Sequence, residues 1–417
     1  MLKIVFFNVF TLMICFVLTS ETNILFAQVN LADTAKNISG QKSQMDILDY
    51  LKIITHKTHT TKADTSRQKS FGPFIAPFLY PGYTLVTQFI IGLAANVSFF
   101  TYSGNDRKIS SILLDNYYSQ QNQYVSTISS NIWTKDAKFN LLGDWRYLNF
   151  PTNTFGLGSK STLSNQDPVN YMYVRFYEIV MRKIVGNLSG GMGAIADYHW
   201  NISEINPTGV IVTDIEKYDN KPIINNSSVS SGISFNLQYD SRLNCNNPDQ
   251  GSYANLHIRD NLTALGSDVN WQSILLDARH YIKTSNKSDD VLAFWSYDYI
   301  TLSGKPPYFD LPSLGWDSYN NTGRGYVQGR FSGLNMVFLE SEYRFRIMNN
   351  GFLGGVVFAN ASTFTEWPSN KFEKINPCSG FGLRVKINRM SKTNFCVDYG
   401  FTTSGAGGLL FNLAEVF

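Results

Sequence analysis

Four stretches of this chain change polarity at every second residue, and in each the two faces differ in kind. In Ile233 to Arg242, Ile233, Phe235, Leu237 and Tyr239 share one face, while Ser234, Asn236, Gln238, Asp240 and Arg242 share the other. In Val337 to Ile347, Val337, Leu339, Tyr343, Phe345 and Ile347 oppose Glu340, Glu342, Arg344 and Arg346. Phe381, Leu383, Val385 and Ile387 oppose Arg384, Lys386 and Asn388 in the same way, as Phe139, Leu141, Trp145 and Tyr147 oppose Lys138, Asn140, Asp144 and Arg146. A period of two belongs to the β-strand, whose side chains point alternately to opposite faces of a sheet. One apolar and one charged face suits either a soluble sandwich or a barrel in lipid.

Export separates these two. Lys3, the apolar run Ile4 to Leu18 and the pair Phe26-Ala27 read as a secretory signal peptide over residues 1–27, cut after Ala27 or Ser20. The apolar core is shorter than the roughly 20 residues a spanning helix needs. Residues 28–70 are rich in Lys, Thr and Ser and are expected to form a flexible polar periplasmic leader, with an amphipathic turn or two around Met45, Ile47, Leu48, Leu51 and Ile54. From Phe71 to Phe417 the pattern is of short alternating segments broken by Gly, Asn, Asp, Ser and Pro clusters. Charged residues make up only 16% of the chain, against 30 Phe, 23 Tyr and 31 Gly, which favours strands and turns over helices. The expected fold is therefore all-β, a transmembrane antiparallel β-barrel over residues 71–417 in the bacterial cell outer membrane, with lipid as its first partner.

Counting back from the last apolar stretch, Leu409, Phe411, Leu413 and Phe417, strands fall near 409–417, 393–401, 379–388, 351–361, 334–346, 290–302, 271–283, 251–260, 231–241, 187–199, 170–182, 137–148 and 121–133, with three more between Phe74 and Tyr118. That makes about sixteen, and an even number puts both ends of a barrel on the periplasmic side. Short turns such as 348–350 and 388–391 then face the periplasm, and the long connections 201–230, 303–333 and 362–378 face outward. Phe417 is expected to close the barrel at the end of the last strand, with Glu415 at the level of the lipid headgroups.

The connection Ser303 to Gly333 carries LPSLG at Leu311 to Gly315 and RGYVQGRF at Arg324 to Phe331, and the strand ESEYRF at Glu340 to Phe345 follows. In these residues the chain resembles the BamA/TamA-like outer-membrane assembly-factor superfamily, whose barrel is called the bacterial surface antigen domain. YDSRLNCNNPDQGSY at Tyr239 to Tyr253, GFGLR at Gly380 to Arg384, DYGF at Asp398 to Phe401 and the final GLLFNLAEVF extend the likeness over roughly Phe71 to Phe417. The resemblance implies that the Arg-Gly-Tyr motif sits on a long extracellular loop between the eleventh and twelfth strands, where the independent strand count also puts it.

Glycines and prolines would let that loop fold into the lumen, carrying Arg324, Gly325, Tyr326, Gly329 and Arg330. A guanidinium taken inside needs carboxylates, and strand parity aims Glu340, Glu342 and Asp398 inward. Asn360 stands where the family commonly has an Asp, and Gly323 where it has an aliphatic residue.

The resemblance implies protein insertion or secretion across the outer membrane, with client polypeptides or other envelope proteins as partners. The leader is too short for the family's periplasmic client-receiving repeats, so a passive or gated pore and a structural barrel in an envelope complex stay open as alternatives. Nothing points to an enzyme, a cofactor or a metal: there is no G-x-S-x-G elbow and no P-loop, and Cys245, Cys378 and Cys396 lack metal-ligand spacing. A net charge of +3 with scattered Lys and Arg indicates no nucleic-acid partner.

Overall fold

The computed structural model describes residues 45–47, 73–102, 108–204, 214–220, 226–285, 289–318, 320–389, 392–403 and 407–417. The signal segment and all of the leader except Met45–Ile47 lie outside the described residues.

Sixteen antiparallel strands form the wall. They are β1 (Phe74–Thr84), β2 (Gln88–Phe99), β3 (Ser110–Ser119), β4 (Tyr124–Trp133), β5 (Phe139–Asn149), β6 (Asp167–Val185), β7 (Leu188–Glu204) and β8 (Asn226–Asp240). The second half comprises β9 (Gly251–Asn261), β10 (Trp271–Lys283), β11 (Val291–Gly304), β12 (Asn335–Arg346), β13 (Leu353–Phe364), β14 (Asn376–Asn388), β15 (Thr393–Thr402) and β16 (Gly408–Leu413). A three-residue strand, Thr152–Thr154, pairs with the start of β6, and a short helix α1 (Asp214–Asp219) lies in the connection after β7. Each strand pairs with its neighbour in sequence, from Phe74↔Ser98 in β1–β2 to Phe395↔Leu413 in β15–β16. The expected strand count and positions agree with this wall.

The faces are those of a barrel in an apolar medium. Phe235, Leu237 and Tyr239 in β8, Leu339 and Tyr343 in β12, and Phe381 and Leu383 in β14 are all exposed on the outside. Their alternating neighbours Ser234, Asn236, Glu340, Glu342, Arg344 and Arg384 are buried within. A water-soluble sandwich would show the reverse, because its apolar face is the one hidden.

The wall has one seam. Ladders join every consecutive pair, but among the described residues none joins β1 to β16; Tyr83 and Phe411 instead meet edge to face across the gap, ring centroids 6.0 Å apart. β1 carries Pro77 and Pro81. Proline has no N–H to donate and is confined to edge strands, and two of them four residues apart leave the same side of the strand without donors. β16 is short, so the ladder on the other flank of the seam spans only Gly408 to Leu413.

Here the sequence expectation needs correcting. The last strand stops at Leu413 rather than running through Phe417, and Ala414, at φ +75°, turns the chain into the lumen. Phe417 is buried inside, 3% exposed, with its ring against Trp295 at 5.2 Å between centroids. Glu415 is also buried, not at a lipid headgroup, because Arg384 in the lumen offers it a partner at 2.7 Å that the outer surface does not.

The longest connections, 150–166, 205–225 and 305–334, all leave one rim. At the other rim, the turn 241–250 reaches across to the tail: Glu415 donates its N–H to the Asn246 carbonyl, and Lys392 pairs with Asp249. Of the leader, Met45 donates its N–H to the Asn350 carbonyl and the Asp46 carboxylate accepts from the Arg389 N–H, so the described leader residues sit against this same rim.

Candidate functional site

The connection 305–334 between β11 and β12 does not extend from the wall. It folds into the lumen, where its Leu314, Tyr326 and Phe331 pack with Trp295, Phe338 and Phe358 from the strands and with Phe417 from the tail. Burial of these side chains, each worth roughly 1.5–3 kcal/mol, holds the segment there.

Arg324 lies at its tip, 2% exposed. Its guanidinium donates to Asp398 on β15 at 2.9 Å and to Glu340 and Glu342 on β12, and it lies over the Phe358 ring at 4.0 Å from the centroid. The three carboxylates named from strand parity all reach it. Burial works against the charge on Arg324, but the three acids outweigh burial and raise its pKa.

The structure extends the cluster beyond what parity offered. Glu342 also accepts from Arg344 on β12, Arg344 approaches Glu415 in the tail at 3.8 Å, Glu415 accepts from Arg384 on β14, and Arg384 donates to both oxygens of Asp398. The contacts close into a ring of alternating charge: Arg324, Glu342, Arg344, Glu415, Arg384, Asp398 and back to Arg324. One loop, three strands and the tail are thereby joined. Burial disfavours charge on Glu415, yet Arg384 and Arg344 hold its carboxyl below the usual range.

Both departures from the family pattern have a local cause. The Asn360 amide donates to the Arg324 carbonyl at 3.2 Å and to Glu340 at 3.3 Å, and a carboxylate in its place would face two acceptors. Gly323 has φ +78°, and a Cβ there would meet Leu314 at 2.4 Å.

Gly325, at φ +96°, lets the loop backbone lie directly on β15. A Cβ on it would stand 2.5 Å from Cys378 Sγ, and a Cβ on Gly400 would stand 2.5 Å from Gly325 Cα. We expect Gly400→Ala to push the loop off the wall at a cost of about 1–3 kcal/mol. The gel-shift unfolding temperature of the purified barrel should fall and limited proteolysis should begin cutting within 305–334; an unchanged cleavage pattern would contradict the close packing.

Tyr326 donates its hydroxyl to the Pro377 carbonyl at 2.8 Å. Gly329, at φ +78°, donates its N–H to the Leu314 carbonyl, which closes the loop on itself. Arg330 stays apart from the carboxylates: it donates to the hydroxyl and carbonyl of Ser161, in the connection after β5, and lies over the Phe331 ring.

A wall of sixteen antiparallel strands with an apolar outside, a folded-in loop and one unladdered seam defines a transmembrane β-barrel of outer-membrane type. Residues 198–404 match the Omp85 superfamily domain. The fold is similar to that of BamA from Haemophilus ducreyi lacking POTRA domains 1–3, with a TM-score of 0.59 at 15% identity over 83% of this chain and 70% of that one. It is also similar to CdiB from Acinetobacter baumannii, with a TM-score of 0.51 at 11% identity over 82% of this chain and 59% of that one. Comparison with curated proteins gives no match. Within residues 198–404 the chain carries an Omp85 superfamily domain, and its barrel has the fold seen in BamA and CdiB.

Proposed function

We propose that this barrel inserts or passes client polypeptides at the bacterial outer membrane by opening at the β1–β16 seam, while the loop 305–334, rooted at the extracellular rim and folded into the lumen, and the tail keep the lumen shut. The observation that carries this reading is the seam itself. Everywhere else, parting two strands breaks a ladder of hydrogen bonds; between β1 and β16 there is none to break among the described residues. Free strand edges recruit other strands, so an opened seam offers a client a place to add. Pro77 and Pro81 fit the same picture, since they blunt the β1 edge against indiscriminate pairing. The filled lumen disfavours a passive pore: Arg324, Phe331, Phe417 and Leu314 are all buried in its middle. We assign residues 1–27 to the export signal, 28–70 to the periplasmic leader and 71–417 to the barrel, and Arg324 to the lock that seats the loop on Glu340, Glu342 and Asp398.

The test is a covalent seam. With Cys245→Ser as background, cysteines replacing Tyr83 and Phe411 are joined by a short bifunctional thiol reagent in cells whose own copy has been depleted. Closing the seam should lower the outer-membrane protein content several-fold relative to the same variant left unlinked. Equal protein content in linked and unlinked cells would refute opening at the seam.

A further inference from the structure

On the side of the lumen away from the charge ring, the loop leaves space. A cavity of about 370 Å³ lies there, walled by β5 to β12 and roofed by Tyr308–Asp310 and Trp316. It falls within the roughly 300–1,000 Å³ of ordinary small-molecule sites. Two kinds of surface face it. The rings of Phe309, Trp316, Tyr297 and Tyr299 are only partly buried, so each keeps area open to the cavity. Between them stand His199 and Asp310. His199 is 3% exposed and lies flat on Tyr173, ring centroids 4.3 Å apart at 3° between planes. Its Nδ1 has no hydrogen-bond partner and sits 3.9 Å from the Asp310 carboxylate, whose other oxygen accepts from Ser230 at 2.6 Å.

The chemistry of the walls narrows the occupant. Arg259 and Arg175 are both engaged by Asp197, which also accepts the hydroxyls of Tyr173 and Tyr177. Asp144, also in the lining, pairs with Arg175 as well, so with Asp310 facing the same space the cavity has little to hold an anion. An apolar guest would strand the buried polar atoms of His199 and Asp310 without hydrogen-bond partners, which is unfavourable. A neutral molecule with hydroxyls at its edge and C–H faces above and below satisfies both surfaces: hydroxyls bond a carboxylate strongly, and polarised C–H groups suit the negative face of an aromatic ring.

We propose that this cavity binds a neutral sugar of one or two rings, its hydroxyls held by Asp310 and His199 and its faces by Phe309 and Trp316. The proposal is independent of how the seam works.

The test uses the purified full chain in lauryldimethylamine oxide, since a maltoside detergent would itself present sugar. Maltose and N-acetylglucosamine are titrated while tryptophan fluorescence and heat of binding are followed, with sodium phosphate and choline chloride as counter-probes. We expect a saturable response to at least one sugar and none to phosphate or choline. Asp310→Asn and Phe309→Ala, checked for heat-modifiable migration as folded barrels, should each weaken binding at least tenfold; if one fails to fold, the other carries the comparison. No saturable response to either sugar in the folded wild type, a response to phosphate instead, or equal binding by a folded variant would overturn the proposal.

Discussion

Arg324→Ala should be among the most damaging single substitutions in the lumen. It strips the shared partner from Glu340, Glu342 and Asp398, whose side chains are 0%, 0% and 1% exposed. Breaking a buried ion pair by removing one partner costs about 3–5 kcal/mol, because the charge left behind has neither partner nor water. Here three carboxylates face the vacancy, although Arg344 still holds Glu342 and Arg384 still holds Asp398. Among the described residues Glu340 has no second ion pair. The purified variant should therefore unfold at markedly lower temperature, and the loop should become open to protease. Arg324→Lys should recover only part of the loss, since a single ammonium cannot match a planar guanidinium that donates in three directions. Adding Glu340→Gln to Arg324→Ala should restore stability, because the least supported charge is then gone; simple additivity of the two changes would show that they are not coupled. An unshifted unfolding temperature for Arg324→Ala would mean that the ring does not seat the loop.

Much of this architecture is legible in the sequence, and the reasons are physical. A barrel in lipid needs apolar residues at every second position of nearly every strand, so the outward faces of β8, β12 and β14 announce themselves. Parity also turned Glu340, Glu342 and Asp398 inward, and a buried Arg324 demands acids. Two kinds of information were not there to read. Arg344 and Arg384 have the same inward parity, but their partner Glu415 lies 71 and 31 residues further along, and no local pattern encodes a meeting across the lumen. Glu415 itself looked like an outward residue because alternation was carried through Ala414. An alanine at φ +75° breaks that alternation, and L-residues other than glycine adopt such values so rarely that sequence gives no warning. The seam, in contrast, has a sequence signal: Pro77 and Pro81 within one strand mark an edge.

The inward tail leads to the second large effect, at Phe417. Its ring stacks on Trp295 and lies 6.3 Å from Tyr281, its main-chain oxygen accepts from Arg344 at 2.8 Å, and the preceding Val416 carbonyl accepts from Asn321 of the loop at 2.7 Å. Tail and loop are therefore fastened to one another as well as to the wall. Phe417→Ala removes the ring and leaves a hole between Trp295 and Tyr281; replacing a buried phenylalanine by alanine costs about 3–5 kcal/mol. Because Asn321 stands three residues before Arg324, loosening the tail should also loosen the loop tip. Hydrogen exchange of the purified barrel should show faster exchange at 414–417 and at 320–326 together, with the ladders of β8 to β11 unaffected. Phe417→Leu, which keeps most of the volume but not the stacking, should fall between the wild type and the alanine variant. If exchange at 320–326 stays at its wild-type rate while the tail frays, the two segments are independent, and the closed lumen would have to be held by the charge ring alone.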